Sequence, residues 1–352
     1  MDDVTDSISA PVPDRRSWRG PTITEVARVA GLGTATVDRV LNGRGGVRET
    51  TRQQVMDAVR KLRGQPAKLD VGTSACHVAF LSESGTSFNE TLGHAIAAFA
   101  AARDGVRCTF EASKTSQTDP NAFADLLMRT GDLADGLVVV AREHASINRA
   151  IRALRVRGVP VVCITTDLPT SNRSAYVGSD QASAGATAAY LMGRALGKRQ
   201  GRILLVISAA YRCQEDREIG FRRVLRAEFG GLSVDERINS NDEMALSYQN
   251  LRDYIASHGP PLGIYNVAAG NMGVAKALEE ERLLGKVVFI GHEMTPNTRM
   301  LLETGKMDFA IGHDLDSEVA LSIEFVQSVL RTGVAGPVGL TPVRVFTRFN
   351  CP

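Results

Sequence analysis

From His77 onward the chain alternates short, nearly unbroken apolar runs with amphipathic stretches. The apolar runs cover 77–81, 106–111, 136–140, 159–166, 175–178, 202–207, 262–267, 286–291 and 308–313. Short apolar runs bounded by polar turns predict strands covered on both faces, as in a parallel sheet. Between them, apolar residues recur at helical spacing over 90–102, 121–129, 146–157, 183–196, 215–228, 244–256, 272–281, 296–303 and 317–330. This alternation predicts a doubly wound α/β fold. A region of about 270 residues is large for one sheet, so two sheets are expected.

Before His77 the period is purely helical. The stretch TITEVARVAGLGTATVDRVLN (22–42) reads as two short helices joined by a tight turn. Thr22 with Glu25 forms a T-x-x-E capping box. Ile23, Val26, Ala27 and Ala30 follow at helical spacing, and Gly31 ends the first helix where a left-handed residue is cheap. Leu32 is expected to plug the gap between the helices. Thr34 is expected to cap the second, whose Val37, Val40 and Leu41 face inward before the stop at Asn42-Gly43. Residues 47–62 predict a third helix with Val55, Val59 and Leu62 inside and Arg48, Arg52, Arg60 and Lys61 outside. Two helices joined by a short Gly-containing turn are a helix-turn-helix signature, with the second helix lying in the major groove of DNA.

Residues 22–62 resemble the DNA-binding domain of the lactose-repressor (LacI) family. The matches are Glu25-Val26-Ala27, Ala30-Gly31-Leu32, Thr36-Val37, Arg39-Val40-Leu41-Asn42, Val47 and Thr51-Arg52. The resemblance implies that Thr34, Ala35 and Arg39 read bases. It implies a wider DNA-binding set that adds Thr24, Thr36, Asn42, Arg48 and Arg52. Gly33 and Asp38 stand where the family usually carries serine, so one phosphate contact is missing and one carboxylate is added near the backbone.

Residues 77–347 resemble the periplasmic-binding-protein fold of the ribose-binding type, which that family attaches to its headpiece. The expected fold is therefore α/β, an all-α helix-turn-helix headpiece followed by two doubly wound parallel-sheet lobes. The expected divisions are a disordered tail at 1–20, the headpiece at 21–66, a hinge linker at 67–76 and the effector-binding and dimerisation domain at 77–352. Lobe 1 is expected to take about 77–175 and 307–335, and lobe 2 about 176–306 and 336–352. The chain then crosses between lobes near 174–177, Lys306 and Gly336. In the family the linker forms a hinge helix that wedges a leucine into the minor groove; here the linker carries Gly72, and Leu69 is the available leucine.

Ligands of such sheets bind beyond the carboxyl ends of the strands. The strand ends and the resemblance together nominate Ser87, Phe88, Asn89, Asp167, Arg217, Asn266, Glu293 and His313, with Asn271 an alternative to Asn266. An aromatic face with a set of hydroxyl-reading groups suits a neutral polyhydroxylated molecule, a sugar or polyol. The resemblance implies a DNA-binding regulator, a repressor, working as a homodimer on a near-palindromic operator. A transporter's solute-binding protein would account for 77–347 but not for the headpiece. A sugar-acting enzyme would need Asp167 and Glu293 as an acid/base pair.

Composition adjusts this picture in a few places. The net charge is +2, but residues 1–68 hold twelve Lys/Arg against eight Asp/Glu, so +4 lies there and −2 in the rest. Basic charge on the headpiece suits counterion release from DNA. Five scattered cysteines without C-x-x-C argue against a metal site and for reduced thiols. The first eighteen residues have acids and prolines and no apolar core of a signal peptide, so a cytoplasmic location without cofactor or membrane partner is expected.

Overall fold

The structure is a computed structural model that describes residues 22–41, 46–62, 75–334 and 336–351. The tail at 1–20, Asn42 and linker residues 67–74 lie outside the described residues. The chain divides into two compact units, 1–72 and 73–352.

The first unit holds three helices, α1 (Ile23–Ala30), α2 (Thr34–Leu41) and α3 (Glu49–Leu62). The Thr22 hydroxyl accepts from Glu25 N at 3.3 Å, and the Glu25 carboxylate accepts from Thr22 N at 2.7 Å, so the capping box is complete. Gly31 takes φ +65° and stops α1. Val26, Ala27, Val37, Val40, Val55, Ala58 and Val59 form the core, with Leu32 packed against it. Two expectations are corrected. The Gly33 carbonyl already accepts from Val37 N at 3.1 Å, so Thr34 lies inside α2 rather than capping it. Leu41 is 38% exposed because, on a two-turn helix, Val37 and Val40 already fill the inward stripe.

The second unit begins with β1 (Cys76–Ser84), α4 (Thr86–Ala102), β2 (Val106–Lys114), α5 (Pro120–Gly131), β3 (Gly136–Val140), α6 (Ala145–Val156), β4 (Val161–Ile164) and β5 (Ala175–Val177). It continues with α7 (Gln181–Leu196), β6 (Gly201–Ile207), α8 (Arg212–Glu228), β7 (Leu232–Asn239), α9 (Met244–His258), β8 (Gly263–Asn266) and α10 (Asn271–Glu280). The last elements are β9 (Val288–His292), α11 (Pro296–Glu303), β10 (Phe309–Gly312), α12 (Leu315–Thr332) and β11 (Arg344–Phe346). One sheet has the order β2-β1-β3-β4-β5 and the other β11-β10-β9-β8-β6-β7. All pairings are parallel except β10 with β11.

Each sheet has apolar clusters on both faces, which is why its central strands read as unbroken apolar runs. In lobe 1, α12 returns to pack against β1, β3, β4 and β5. Two boundaries move. Lobe 1 runs through Val177, because β5 pairs with β4. The second crossing lies beyond Gly312 rather than near Lys306, because Phe309, Ala310 and Ile311 pair in register with Ile290, Gly291 and His292 of lobe 2. Strands β7 and β11 were not foreseen.

Candidate functional site

On the first unit, Thr24, Thr34, Ala35, Arg39 and Arg48 are exposed, and Thr36 and Arg52 are partly buried. Thr34, Ala35 and Arg39 share α2 with the inward Val37 and Val40, so the helix presents a polar face opposite its apolar one.

In the second unit the two lobes meet directly. The Tyr211 hydroxyl donates to the Glu83 carbonyl at 2.8 Å. Thr115 Oγ1 donates to Asp242 Oδ2 at 2.7 Å, and Cys213 N donates to Thr166 Oγ1 at 3.3 Å. Between the lobes lies a cleft. Lobe 1 lines it with Ser84, Phe88, Val140, Thr165 and Thr166. Lobe 2 contributes Tyr211, Gln214, Arg217, Asp242 and Glu293, with Cys213 and the apolar Val267, Ala268 and Ala269 between them. Most of these residues lie at or beyond the carboxyl end of a strand, or early in the helix that follows it.

Arg217 owes its place to two helices in near-backbone contact. A Cβ on Gly185 of α7 would fall 1.8 Å from the Arg217 carbonyl oxygen, and one on Gly220 of α8 would fall 1.9 Å from that of Ala182. Only glycine at both positions permits this approach. The guanidinium is buried and each of its nitrogens donates once: Nε to Gln181 Oε1 at 2.7 Å, one terminal nitrogen to the Val267 carbonyl at 2.9 Å and the other to Glu293 Oε1 at 2.9 Å.

From Glu293 the ionic chain continues to the crossing between lobes. His313 Nε2 lies 2.8 Å from Glu293 Oε2, and its Nδ1 lies 2.8 Å from Glu318 Oε2 on α12 of lobe 1. Glu318 Oε1 accepts from Thr341 at 2.6 Å. Burial alone would push Glu293 up, but His313 and Arg217 outweigh it and hold the carboxyl well below the usual range. Burial would likewise push His313 down, but Glu318 and Glu293 hold it well above its ordinary value. His292, buried and near Arg217, is held well below its own.

Three cleft residues have positive φ, Asp242 among them at +59°. Thr165 takes φ +65° and Glu293 φ +67°, a region that costs a non-glycine residue about 1–3 kcal/mol. Thr165 Oγ1 is also buried without a hydrogen-bond partner. A strained residue with an unsatisfied hydroxyl at a cavity wall marks a place where a guest atom is expected.

Of the eight residues nominated from the sequence, Phe88, Arg217 and Glu293 line the cleft, and His313 supports it through Glu293. Ser87 sits at the lobe seam, where it accepts from Asn297 at 3.3 Å. The other three are used within the protein. Asn89 accepts from Ser82 and donates to the carbonyls of Ser84 and Ser113, bracing β1 against β2. Asp167 pairs with Arg173 and accepts from Leu168 N at 2.7 Å, closing its own turn. Asn266 is fully buried, donates to Asn271 at 2.7 Å and accepts from Ala268 N, shaping the loop after β8. Asn271 likewise spends its amide on the His292 carbonyl and on Thr298. Sequence reasoning missed Thr165, Thr166, Tyr211, Gln214 and Asp242; all but Gln214 lie just past a strand end, the same signal that found Glu293.

Residues 22–66 match the family of bacterial regulatory proteins of the lacI type, and residues 78–333 match the family of periplasmic binding protein domains. Over 213 residues the chain is 22% identical to the ABC transporter periplasmic-binding protein YphF of Escherichia coli K12, covering 53% of this chain and 59% of that protein. Over 54 residues it is 43% identical to the HTH-type transcriptional regulator pepR1 of Lactobacillus delbrueckii, covering 15% of this chain and 16% of the regulator. The chain thus covers less than two thirds of either relative. Among solved structures, an ABC transporter solute binding protein from Burkholderia graminis in complex with D-arabinose superposes with a TM-score of 0.73 at 22% identity, over 80% of this chain and 98% of that one. At that identity the likeness shows the fold alone. No helix among the described residues is long and apolar enough to cross a membrane.

Proposed function

The chain belongs to the family of periplasmic binding protein domains and carries the DNA-binding module of the bacterial lacI family; from that premise we propose that it is a transcriptional repressor controlled by a small sugar or polyol. The observation that carries the reading is the union, in one chain, of a helix-turn-helix unit and a two-lobed cleft walled by groups from both lobes. Relatives of the second unit are solute-binding proteins, one of them holding D-arabinose. A transporter's binding protein would leave the headpiece without a role. The acid/base pair an enzyme would use is already committed: Glu293 is held between Arg217 and His313, and Asp167 is paired with Arg173.

The proposed protein acts in the cytoplasm as a homodimer on a near-palindromic operator, because one headpiece buries too little surface for tight binding. Thr24, Thr34, Ala35, Thr36, Arg39, Asn42, Arg48 and Arg52 form its DNA-contact set. No cofactor is required. A guest that touches both lobes binds the closed cleft better than an open one, and only that difference can shift the equilibrium. Operator affinity then changes by the coupling free energy, about 1–3 kcal/mol in typical systems.

The test is selection of bound sequences from random duplex DNA, followed by a screen of sugars and polyols for altered operator affinity. Arg39→Ala should cost about 1–3 kcal/mol of discrimination at one base pair and leave random-sequence binding near normal. Equal loss on specific and random DNA would remove Arg39 from base reading. Failure to select any sequence would overturn the regulator reading itself.

A further inference from the structure

The cleft contains one carboxylate whose charge the protein does not balance. Arg217 is matched by Glu293, Glu293 by His313 and His313 by Glu318. Beside Tyr211, Arg142 is matched by Glu83. Asp242 lines the same cavity and makes no ion pair with any described residue. Its hydrogen-bond donors are neutral: Thr115 Oγ1 at 2.7 Å from lobe 1 and Ala269 N at 3.0 Å from lobe 2, with the Ser208 hydroxyl beside it. Two carboxylate oxygens offer about four lone-pair directions, so acceptor capacity remains. Burial pushes the Asp242 carboxyl above its ordinary value, and these hydrogen bonds oppose the shift only in part.

The backbone is bent to bring this side chain to the seam. Asn241 and Asp242 both take positive φ, +46° and +59°, a region that Asn and Asp enter more readily than other side chains. Across the seam Gly85 leaves room for it, since a Cβ there would lie 3.0 Å from the Asp242 Cβ.

A desolvated charge needs a countercharge or it destabilises the closed state. A neutral sugar would remove water from Asp242 and return only hydroxyl hydrogen bonds, and an acidic one would add repulsion. An ammonium group supplies the missing charge and up to three donors. We propose that Asp242 is the specificity-determining residue of the cleft and that it selects an aminated sugar or aminated polyol, with the ammonium group against its carboxylate. This narrows the sugar-or-polyol reading, on which it rests, and replaces the neutral guest expected from a residue set that lacked Asp242.

The experiment is calorimetric titration of the full chain at neutral pH with matched probes: D-glucose against D-glucosamine, D-galactose against D-galactosamine, myo-inositol against an amino-inositol, and D-gluconate as the acid. At least one amine should bind about tenfold or more tighter than its neutral partner, the scale of a charge-assisted hydrogen bond, and gluconate should not bind. Asp242→Asn should erase the amine preference, weakening the amines by at least about tenfold more than their neutral partners. Thr115→Val, which removes the same bridge from the opposite lobe, should weaken all guests alike and keep the preference. Neutral sugars binding as tightly as amines in the unaltered protein would overturn the proposal and leave the sugar reading standing. So would an amine preference that survives Asp242→Asn, or equal losses for both guest classes. If no sugar or polyol binds, both readings fall together.

Discussion

The two walls of the cleft are built from different chemistry. Lobe 1 offers Ser84, Phe88, Val140, Thr165 and Thr166, all uncharged, whereas Arg217, Asp242 and Glu293 all come from lobe 2. A wall of fixed ions orients a guest, and a neutral wall of matching shape excludes water when it closes. The asymmetry assigns recognition mainly to lobe 2 and closure mainly to lobe 1, with His313 and Glu318 tying one to the other at the crossing.

Three variants test that division, from the largest expected effect to the smallest. Arg217→Ala dismantles the charged wall. It should abolish the effector response and, by removing one of the two cations on the buried Glu293, lower stability by about 3 kcal/mol. Operator binding without effector should stay near normal, because the headpiece is a separate unit. A retained response would mean that the charged wall is not the recognising one. Operator affinity measured with and without effector, beside urea denaturation, separates the outcomes.

His313→Gln cuts the tie between the lobes, with an expected loss of about 3 kcal/mol at neutral pH. The pH dependence carries the sign. His313 is held above its ordinary value in the folded protein, so its contribution is complete below about pH 6.5 and is lost as pH rises through the raised folded value. Glu293, held below its ordinary value, contributes above about pH 4.3 and loses its contribution only as pH falls through the depressed folded value. Urea midpoints should therefore decline on the alkaline side in the parent and flatten in His313→Gln. An unchanged alkaline decline in the variant would place its source elsewhere.

Gly85→Ala acts on lobe 1 alone. Gly85 has φ −63° and ψ 150°, which alanine adopts freely, so the lobe itself should fold as before. Its new Cβ would meet the Ala269 Cβ at 2.9 Å across the seam. Closure should weaken and effector affinity fall about tenfold, or ~1.4 kcal/mol. Small-angle scattering should show a larger radius with effector present. Unchanged affinity and radius would show that lobe 1 need not approach so closely.

Legibility followed the same divide. Every strand of lobe 1 stood out as an apolar run or an apolar–polar alternation. In lobe 2 the central strands did too, but both edges were missed. β7 reads LSVDERIN, with Asp235 and Arg237 where an apolar run would be sought, and β11 is three residues long. Edge strands face solvent on one side and carry charge that discourages pairing with other chains, so their pattern is weak. Missing β7 hid Asp242, which lies just past its carboxyl end. Arg217 was found because the family places a ligand group there, and Glu293 because it follows a strand end at a position the family also uses. Asn89, Asp167 and Asn266 were equally plausible by position, but their amide or carboxylate groups had been taken by neighbouring backbone, which no spacing rule reveals.

The return of α12 to lobe 1 has a consequence for how the protein is made. Val319, Ile323, Phe325 and Val326 of that helix complete the apolar cluster that contains Val78, Phe80, Val138 and Val162. Lobe 1 therefore exposes an unfinished face while the ribosome works through the whole of lobe 2 up to Gly312. Domains usually fold in the order in which they emerge. Here the headpiece can do so, but the first lobe must wait for the last of the described helices. A message truncated after β10 would yield a finished DNA-reading unit attached to a lobe that cannot close its core, a product fit for chaperones or proteases.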